Sequence, residues 1–273
     1  MKIRNLVGIS LAELIDCLLQ AFSGYYVKMP SDLEYWGSRF KAARVDPQLS
    51  FGMFDEQQLV GFIINGIDQH NNQLTAFNTG TGVLPDYRGK STVDHLYAHA
   101  LPIFRNYGIQ KCMLEVIREN DRAIKVYERI GFELKRNLYC FGGDLEKNSE
   151  GVGLLKADFK EVMQRYPDKH HLYSWDFTWE AILRGGEAVA TYVVQNEHGK
   201  EVGYFCFNER AKMLARIETA NGTYDDILNA LSSITSSCKI NNVDESRQDL
   251  MTHLKSHGLR NSVNQFEMEM LLR

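Results

Sequence analysis

Apolar residues recur at helical spacing from Leu11 through Leu14, Ile15, Leu18, Leu19 and Phe22, with Ser10 and Glu13 set ahead of them in a capping-box pattern. This predicts a helix with one buried stripe, preceded by a short strand over 2–6. Leu33, Trp36 and Phe40 share one side of a second predicted helix over 32–44, with Ser31 or Asp32 as its cap. The period then shortens. Strands over about 50–54 and 59–67 make a hairpin across the polar turn DEQQ, and after DQHNN another strand runs over 74–84. Helical spacing returns in Val93, Leu96, Tyr97, Ala100, Ile103, Phe104 and Tyr107, stopped by Gly108, and Pro102 predicts a kink. A strand over 111–117, a helix over 121–130 closed by Gly131, and strands over 132–135 and 138–141 follow.

The segment GGDLEKNSEGVG carries glycine and charge with little apolar content, which sets a linker near 143–152 and divides the chain into domains 1–145 and 146–273. Beyond it, strands are predicted over 187–195, 202–207 and 212–219, then a helix from Tyr224, a short strand, a helix from about Glu245 and a last strand over 263–272. That order repeats the order of the first half and predicts a diverged structural repeat. The expected fold class is α+β: a mixed, mostly antiparallel sheet flanked by helices, followed by a second, smaller α+β domain.

Composition narrows the function classes. With 44% hydrophobic and 24% charged residues among 273, the chain has the makings of a folded domain. A net charge of -4 and a pI near 6.1 supply no field to gather nucleic acid or anionic lipid. MKIRNLVGIS lacks the build of a signal peptide and no uncharged apolar run approaches the roughly 20 residues of a membrane span, so a cytoplasmic protein without a membrane or nucleic-acid partner is expected. Five scattered cysteines show no CxxC spacing and read as buried, reduced thiols. His95 and His99 share a helix face, but no third ligand accompanies them, and no metal is expected.

The stretch VLPDYRGKSTV, 83–93, lies between a predicted strand and a predicted helix. Such a turn aims successive N–H groups at one point and adds the positive end of a helix, which suits a diphosphate. Arg88 and Lys90 add charge, and Gly89 permits a close approach of the backbone. GKS at 89–91 suggests a P-loop, but the glycine required five positions earlier is replaced by Leu84. A second element follows at a fixed distance: MLEVI, then Asn120, Ala123, Tyr127, Gly131 and Phe132 in ENDRAIKVYERIGF.

The pair VLPDYRGK and NDRAIKVYERIGF resembles the two cofactor motifs of the GNAT acetyltransferases, over nearly all of residues 1–143. The resemblance implies acetyl-CoA, or another short acyl-CoA, lying as a strand in a wedge between the strands 74–84 and 111–117. It further implies that Val83 and Leu84 pair with the pantetheine arm, a backbone N–H near Leu84 stabilises the oxyanion, and Arg88, Gly89, Lys90, Ser91, Thr92 and Val93 hold the diphosphate. Asn120, with Ala123, would meet the arm, and Tyr127 would be the general acid. Ser91 and Val93 depart from the small residues of the family pattern, and the valine is expected to crowd the phosphates. Glu115 is the local candidate for the base, with a water chain as the alternative. Tyr25, Tyr26, Trp36, Phe77 and Asn78 are candidate walls of the acceptor pocket.

The expected activity is transfer of an acetyl or short acyl group from CoA to a primary amine, on a small molecule; the alternative is an acyl-CoA-binding sensor or assembly module that catalyses nothing. In the second half ANGTYDD offers two acids where a phosphate would sit, and Gln248 or Asp249 falls where the phenol would be expected. This predicts a degenerate GNAT-like domain or, as the alternative, a small α+β domain of unrelated ancestry.

Overall fold

The computed structural model describes residues 1–146, 152–167 and 169–272. The chain forms two compact units, one from 1–135 together with 266–273 and the other from 136–265. Sequence reading set a single division at 145/146; the structure divides the chain twice, because its last segment rejoins the first unit. Residues 147–151 of the expected linker lie outside the described residues.

The first unit contains β1 (Lys2–Asn5), α1 (Leu11–Ala21), α2 (Leu33–Ala42), β2 (Phe51–Asp55), β3 (Gln58–His70), β4 (Gln73–Val83), α3 (Thr92–Asn106), β5 (Lys111–Ile117) and α4 (Asp121–Ile130). Ser10 caps α1 by accepting the Glu13 N–H at 3.1 Å, and Asp32 caps α2 by accepting the Glu34 N–H at 2.9 Å. Strands β1 to β4 form an antiparallel meander, and β5 joins β4 in parallel from Thr75↔Lys111 to Asn78↔Leu114. A β-bulge leaves Thr79 as an extra residue between Ile64↔Gly80 and Asn65↔Asn78. Leu14, Ile15, Leu18, Phe62, Leu96, Tyr97, Phe104 and Leu114 belong to the unit's core.

The second unit contains β6 (Glu133–Asp144), mostly beyond residue 135, β7 (Val152–Ala157), α5 (Phe159–Arg165), α6 (Trp179–Gly185), β8 (Ala190–Asn196), β9 (Glu201–Asn208), β10 (Met213–Thr219), α7 (Tyr224–Ser232), β11 (Ser237–Asp244), α8 (Gln248–Ser256) and β12 (Arg260–Asn261). Its strand order is β6-β11-β10-β9-β8-β7, with β12 beside β6. The two strands expected over 132–135 and 138–141 are one continuous strand, in which Asn137 between them donates its N–H and side-chain amide to the Glu245 carboxylate at 3.1 and 2.8 Å. β7, α5 and α6 lie where no element was predicted. The final strand, β13 (Gln265–Leu271), crosses from this unit at Phe266 and lies beside β5 in the first.

Both units follow the same plan: an antiparallel meander, a helix, a parallel strand and a helix. This is the α+β fold expected from sequence. Among the described residues no helix is long and apolar enough to cross a membrane. All five cysteines are buried free thiols, and burial pushes those of Cys17, Cys112 and Cys238 up to about 12.

Candidate active site

Past Asn78↔Leu114 the register of β4 and β5 ends, so the later residues of each strand face a gap. Alternate backbone groups of 79–83 that do not bond β3 point to the side β5 has left. At the end of β4 the chain makes a 3-10 turn, Pro85–Tyr87, passes Gly89 at φ +75° and enters α3 from Ser91, which is left-handed at φ +53°. The Ser91 side chain accepts no bond from the first turn of α3, whose His95 N–H goes to the Ser91 carbonyl at 3.0 Å and whose earlier N–H groups face outward. Those earlier N–H groups are thus left for an anion, with the helix's positive end behind them. Val93 packs against the core, so its bulk is directed away from the loop, contrary to the crowding expected. Thr92 is buried and donates its hydroxyl to the Tyr87 carbonyl at 3.1 Å, while Lys90 lies 5.0 Å from the Tyr87 ring centre.

Three expected cofactor contacts need correction. The Leu84 N–H donates to the Val60 carbonyl at 2.9 Å, which removes it as the oxyanion donor. Arg88 donates to the Val83 carbonyl at 3.2 Å and to the Ala21 carbonyl at 2.8 Å, so it braces the loop against the end of α1 and engages the backbone oxygen expected to meet the pantetheine arm. Asn120 is the N-cap of α4, its Oδ1 accepting the Ala123 N–H at 3.2 Å, and its side chain pulls the Tyr25 phenol down against the rise that burial causes. Its place at the gap is that of a structural cap.

Tyr127 is 8% exposed, and the Tyr97 and Phe132 rings pack edge-on to it at 6.5 and 5.8 Å between centres. Burial pushes its phenol up to about 12, with the Thr81 hydroxyl pulling the other way. The group is therefore protonated at neutral pH, as a general acid must be before it acts. Gly131, left-handed at φ +115°, ends α4, and a bidentate pair from Arg129 to Asp94, both bonds at 2.7 Å, ties α4 to α3.

Glu115, partly buried, is the first residue of β5 past the paired register. Tyr25 is partly buried with its phenol raised by burial, and Tyr26, 52% exposed, donates to the Glu119 carbonyl at 2.8 Å. Trp36 and Phe77 are interior residues instead of pocket walls: Trp36 is 5% exposed with its indole N–H on the Pro30 carbonyl at 2.8 Å, and Phe77 is 2% exposed on the central strand. Asn78 is buried in a polar chain with Thr81. Sequence reading missed Thr81 because the bulge at Thr79 reverses the alternation, bringing Asn78 and Thr81, three apart, into hydrogen-bond contact.

The second unit repeats the gap with different contents. β10 and β11 pair in parallel only at Met213↔Lys239. Facing the gap, the Ile217 N–H donates to the Tyr173 hydroxyl at 3.3 Å, and Arg247 donates to the Ile217 carbonyl at 2.7 Å. Tyr173 donates to the Glu218 carboxylate at 2.6 Å, which also pairs with Lys169 at 2.6 Å and Arg247 at 3.2 Å. Arg216, 1% exposed, lies 3.5 Å from the centre of the Tyr173 ring. Thr223 and Asp226 close a reciprocal capping box on α7, so no N-terminus is left open there. Arg247 starts α8 as Asn120 starts α4, and each is followed eleven residues later by a left-handed glycine, Gly258 or Gly131. On that alignment Leu254, fully buried, stands at the place of Tyr127, which corrects the assignment to Gln248 or Asp249.

A meander parted from its parallel neighbour beside an open helix start is the α+β arrangement of this unit. Residues 12–132 match the model of the Acetyltransferase (GNAT) family, whose members generally bind acetyl-CoA. The chain is 30% identical over 96 residues to N-alpha-acetyltransferase 30 of Schizosaccharomyces pombe, covering 35% of this chain and 64% of that protein. It is 28% identical over 95 residues to the N-alpha-acetyltransferase MAK3 of Arabidopsis thaliana, covering 35% of this chain and 50% of that protein. Across 100% of its length the chain shares the fold of a GCN5-related N-acetyltransferase from Sphaerobacter thermophilus, TM-score 0.69 at 12% identity over 96% of that chain. It likewise shares, over 100% of its own length and 98% of the other's, the fold of a tandem GNAT protein from the clavulanic acid biosynthesis pathway, TM-score 0.69 at 10% identity.

Proposed function

We propose that the first unit transfers an acetyl or other short acyl group from coenzyme A to the primary amine of a small molecule, working in the cytoplasm without a nucleic-acid or membrane partner. The observation that carries this reading is the parting of β4 and β5 after Asn78↔Leu114 beside the open start of α3. Bound acetyl-CoA supplies the thioester carbonyl. The N–H groups of 89–94 hold the diphosphate, with Lys90 adding charge at the mouth, and backbone groups of 79–83 pair with the extended arm. Glu115 takes the proton of the attacking amine. Tyr127 gives its hydroxyl proton to the leaving sulfur. Tyr25, beside Asn120, and Tyr26, bonded to the Glu119 carbonyl, shape the acceptor side.

The second unit is proposed to be a degenerate copy with no cofactor of its own, because its own side chains take both backbone groups of Ile217. Calorimetry with acetyl-CoA, paired with thiol release across a panel of polyamine, amino-sugar, amino-acid and peptide amines, tests the assignment. Binding with turnover on a panel amine is expected. Binding with no thiol release on any amine would favour a holder of acyl-CoA, and absence of binding at millimolar acetyl-CoA would end the reading.

A further inference from the structure

A chain of polar groups on β3 and β4 runs outward from buried Asn65 and Asn78 to partly buried Thr81. Asn65 Nδ2 donates to the Leu49 carbonyl at 2.7 Å, Asn78 Nδ2 reaches Asn65 Oδ1 at 3.5 Å, and Thr81 Oγ1 donates to Asn78 Oδ1 at 3.0 Å. Asn65 is 1% exposed and Asn78 7%. Thr81, at the outer end, lies close enough to Tyr127 for its hydroxyl to pull the phenol down against the rise that burial causes. Behind it stands Tyr97, 1% exposed, its ring edge-on to Tyr127. The Tyr97 hydroxyl is fully buried with no partner in hydrogen-bond geometry, although Asn78 and Thr81 face it. Leaving a buried hydroxyl in that state costs stability, which a phenylalanine of the same shape would avoid.

We propose that Thr81 is a positioning residue for Tyr127, and that Tyr97 is the reserve donor that lets Thr81 change partners during the reaction. The inference rests on the acyl-transfer reading above. As the carbon–sulfur bond breaks, its electron pair goes to sulfur and Tyr127 gives up its hydroxyl proton to form the S–H bond, becoming a phenolate. Thr81 turns its O–H from Asn78 Oδ1 to the phenolate oxygen, and Tyr97 turns its own O–H to the Asn78 oxygen so vacated. The proton lost by the acceptor nitrogen passes to the base and then to solvent, and Tyr127 recovers one from solvent, so protons and charge balance. The static structure is the resting half of this exchange: Thr81 committed to Asn78, Tyr97 waiting.

The test replaces Tyr127 with a fluorotyrosine and follows its ionisation by fluorine NMR, a readout that needs no acceptor. Thr81→Val is expected to raise the titration midpoint by about one pH unit, the equivalent of about 1.4 kcal/mol. Thr81→Ser, which keeps the hydroxyl, should restore it. Tyr97→Phe should raise it by less, and should add nothing in the Thr81→Val background. With tyrosine at 127 and the most active amine of the panel, Thr81→Val is expected to lower kcat about tenfold with KM for acetyl-CoA unchanged. A midpoint that stays put in a folded Thr81→Val protein, or a kcat that does, overturns the proposal. Undiminished kcat in Tyr127→Phe would instead overturn the underlying assignment of the acid.

Discussion

Burial suits Tyr127 to the single proton transfer proposed for it. Tyr127→Phe keeps the ring packing against Tyr97 and Phe132 but deletes the proton, so steady-state kinetics should show kcat lower by about a hundredfold or more with acetyl-CoA affinity unchanged. The pH dependence follows from the same shift. Burial holds the folded phenol near 12, above its ordinary 10, so Tyr127 should cause no alkaline fall in rate between pH 7 and 10. Its contribution to stability has the matching sign. It is whole below the unfolded value near 10 and is lost as pH rises toward 12, because the unfolded chain ionises first; a pH series of denaturant melts of wild type and Tyr127→Phe checks this. Glu218 offers a second test. Glu218→Gln leaves Arg247 buried beside a neutral partner and should destabilise the protein by about 3–5 kcal/mol in urea melts.

At the scale of elements, the loop from Leu84 to Ser91 works through its backbone. A methyl group at Gly89 would meet nothing within 4 Å, so the cost of Gly89→Ala is conformational: φ +75° is unfavourable for alanine by about 1–2 kcal/mol. Thermal melts should show that loss, and calorimetry a weaker affinity for acetyl-CoA than in Tyr127→Phe. Elements fixed by local signals were legible in the sequence. α4 is an example, since Asn120 caps it, its apolar stripe is regular and Gly131 ends it, all within twelve residues. Elements fixed by distant partners were not. In β6, Asn137 bonds Glu245, 108 residues away, and the short helices α5 and α6, seven residues each, are too brief for a period to declare itself. In the site, the residue types at the loop and in α4 were readable, whereas the side-chain directions of Arg88, Trp36 and Asn120 were decided by carbonyls and N–H groups that folding brings to them.

On the scale of the whole molecule, repetition of one plan with different contents leads to a count. One acetyl-CoA per chain is the expected calorimetric stoichiometry, and two would refute the proposed degeneracy of the second unit. The order of elements in that unit was legible because its strands and helices keep the same sequence of types; what fills its gap was not, since Tyr173 lies in a segment to which no element was assigned. Nor could a local pattern reveal that β13 belongs to the first unit. Lys111, 4% exposed at its side chain, pairs there with Glu269 at 2.8 Å, and Glu269→Ala should cost about 3 kcal/mol in urea melts by leaving the lysine beside no carboxylate. The return of β13 also has a consequence for biosynthesis. A ribosome that has already released every residue from 1 to 135 still holds a first unit with one sheet position unfilled, and residues through 271 must emerge before that unit can close. Translation of the whole second unit thus sets a minimum delay on maturation of the site, during which a bare strand edge on β5 is open to chaperones, to proteases or to another nascent copy.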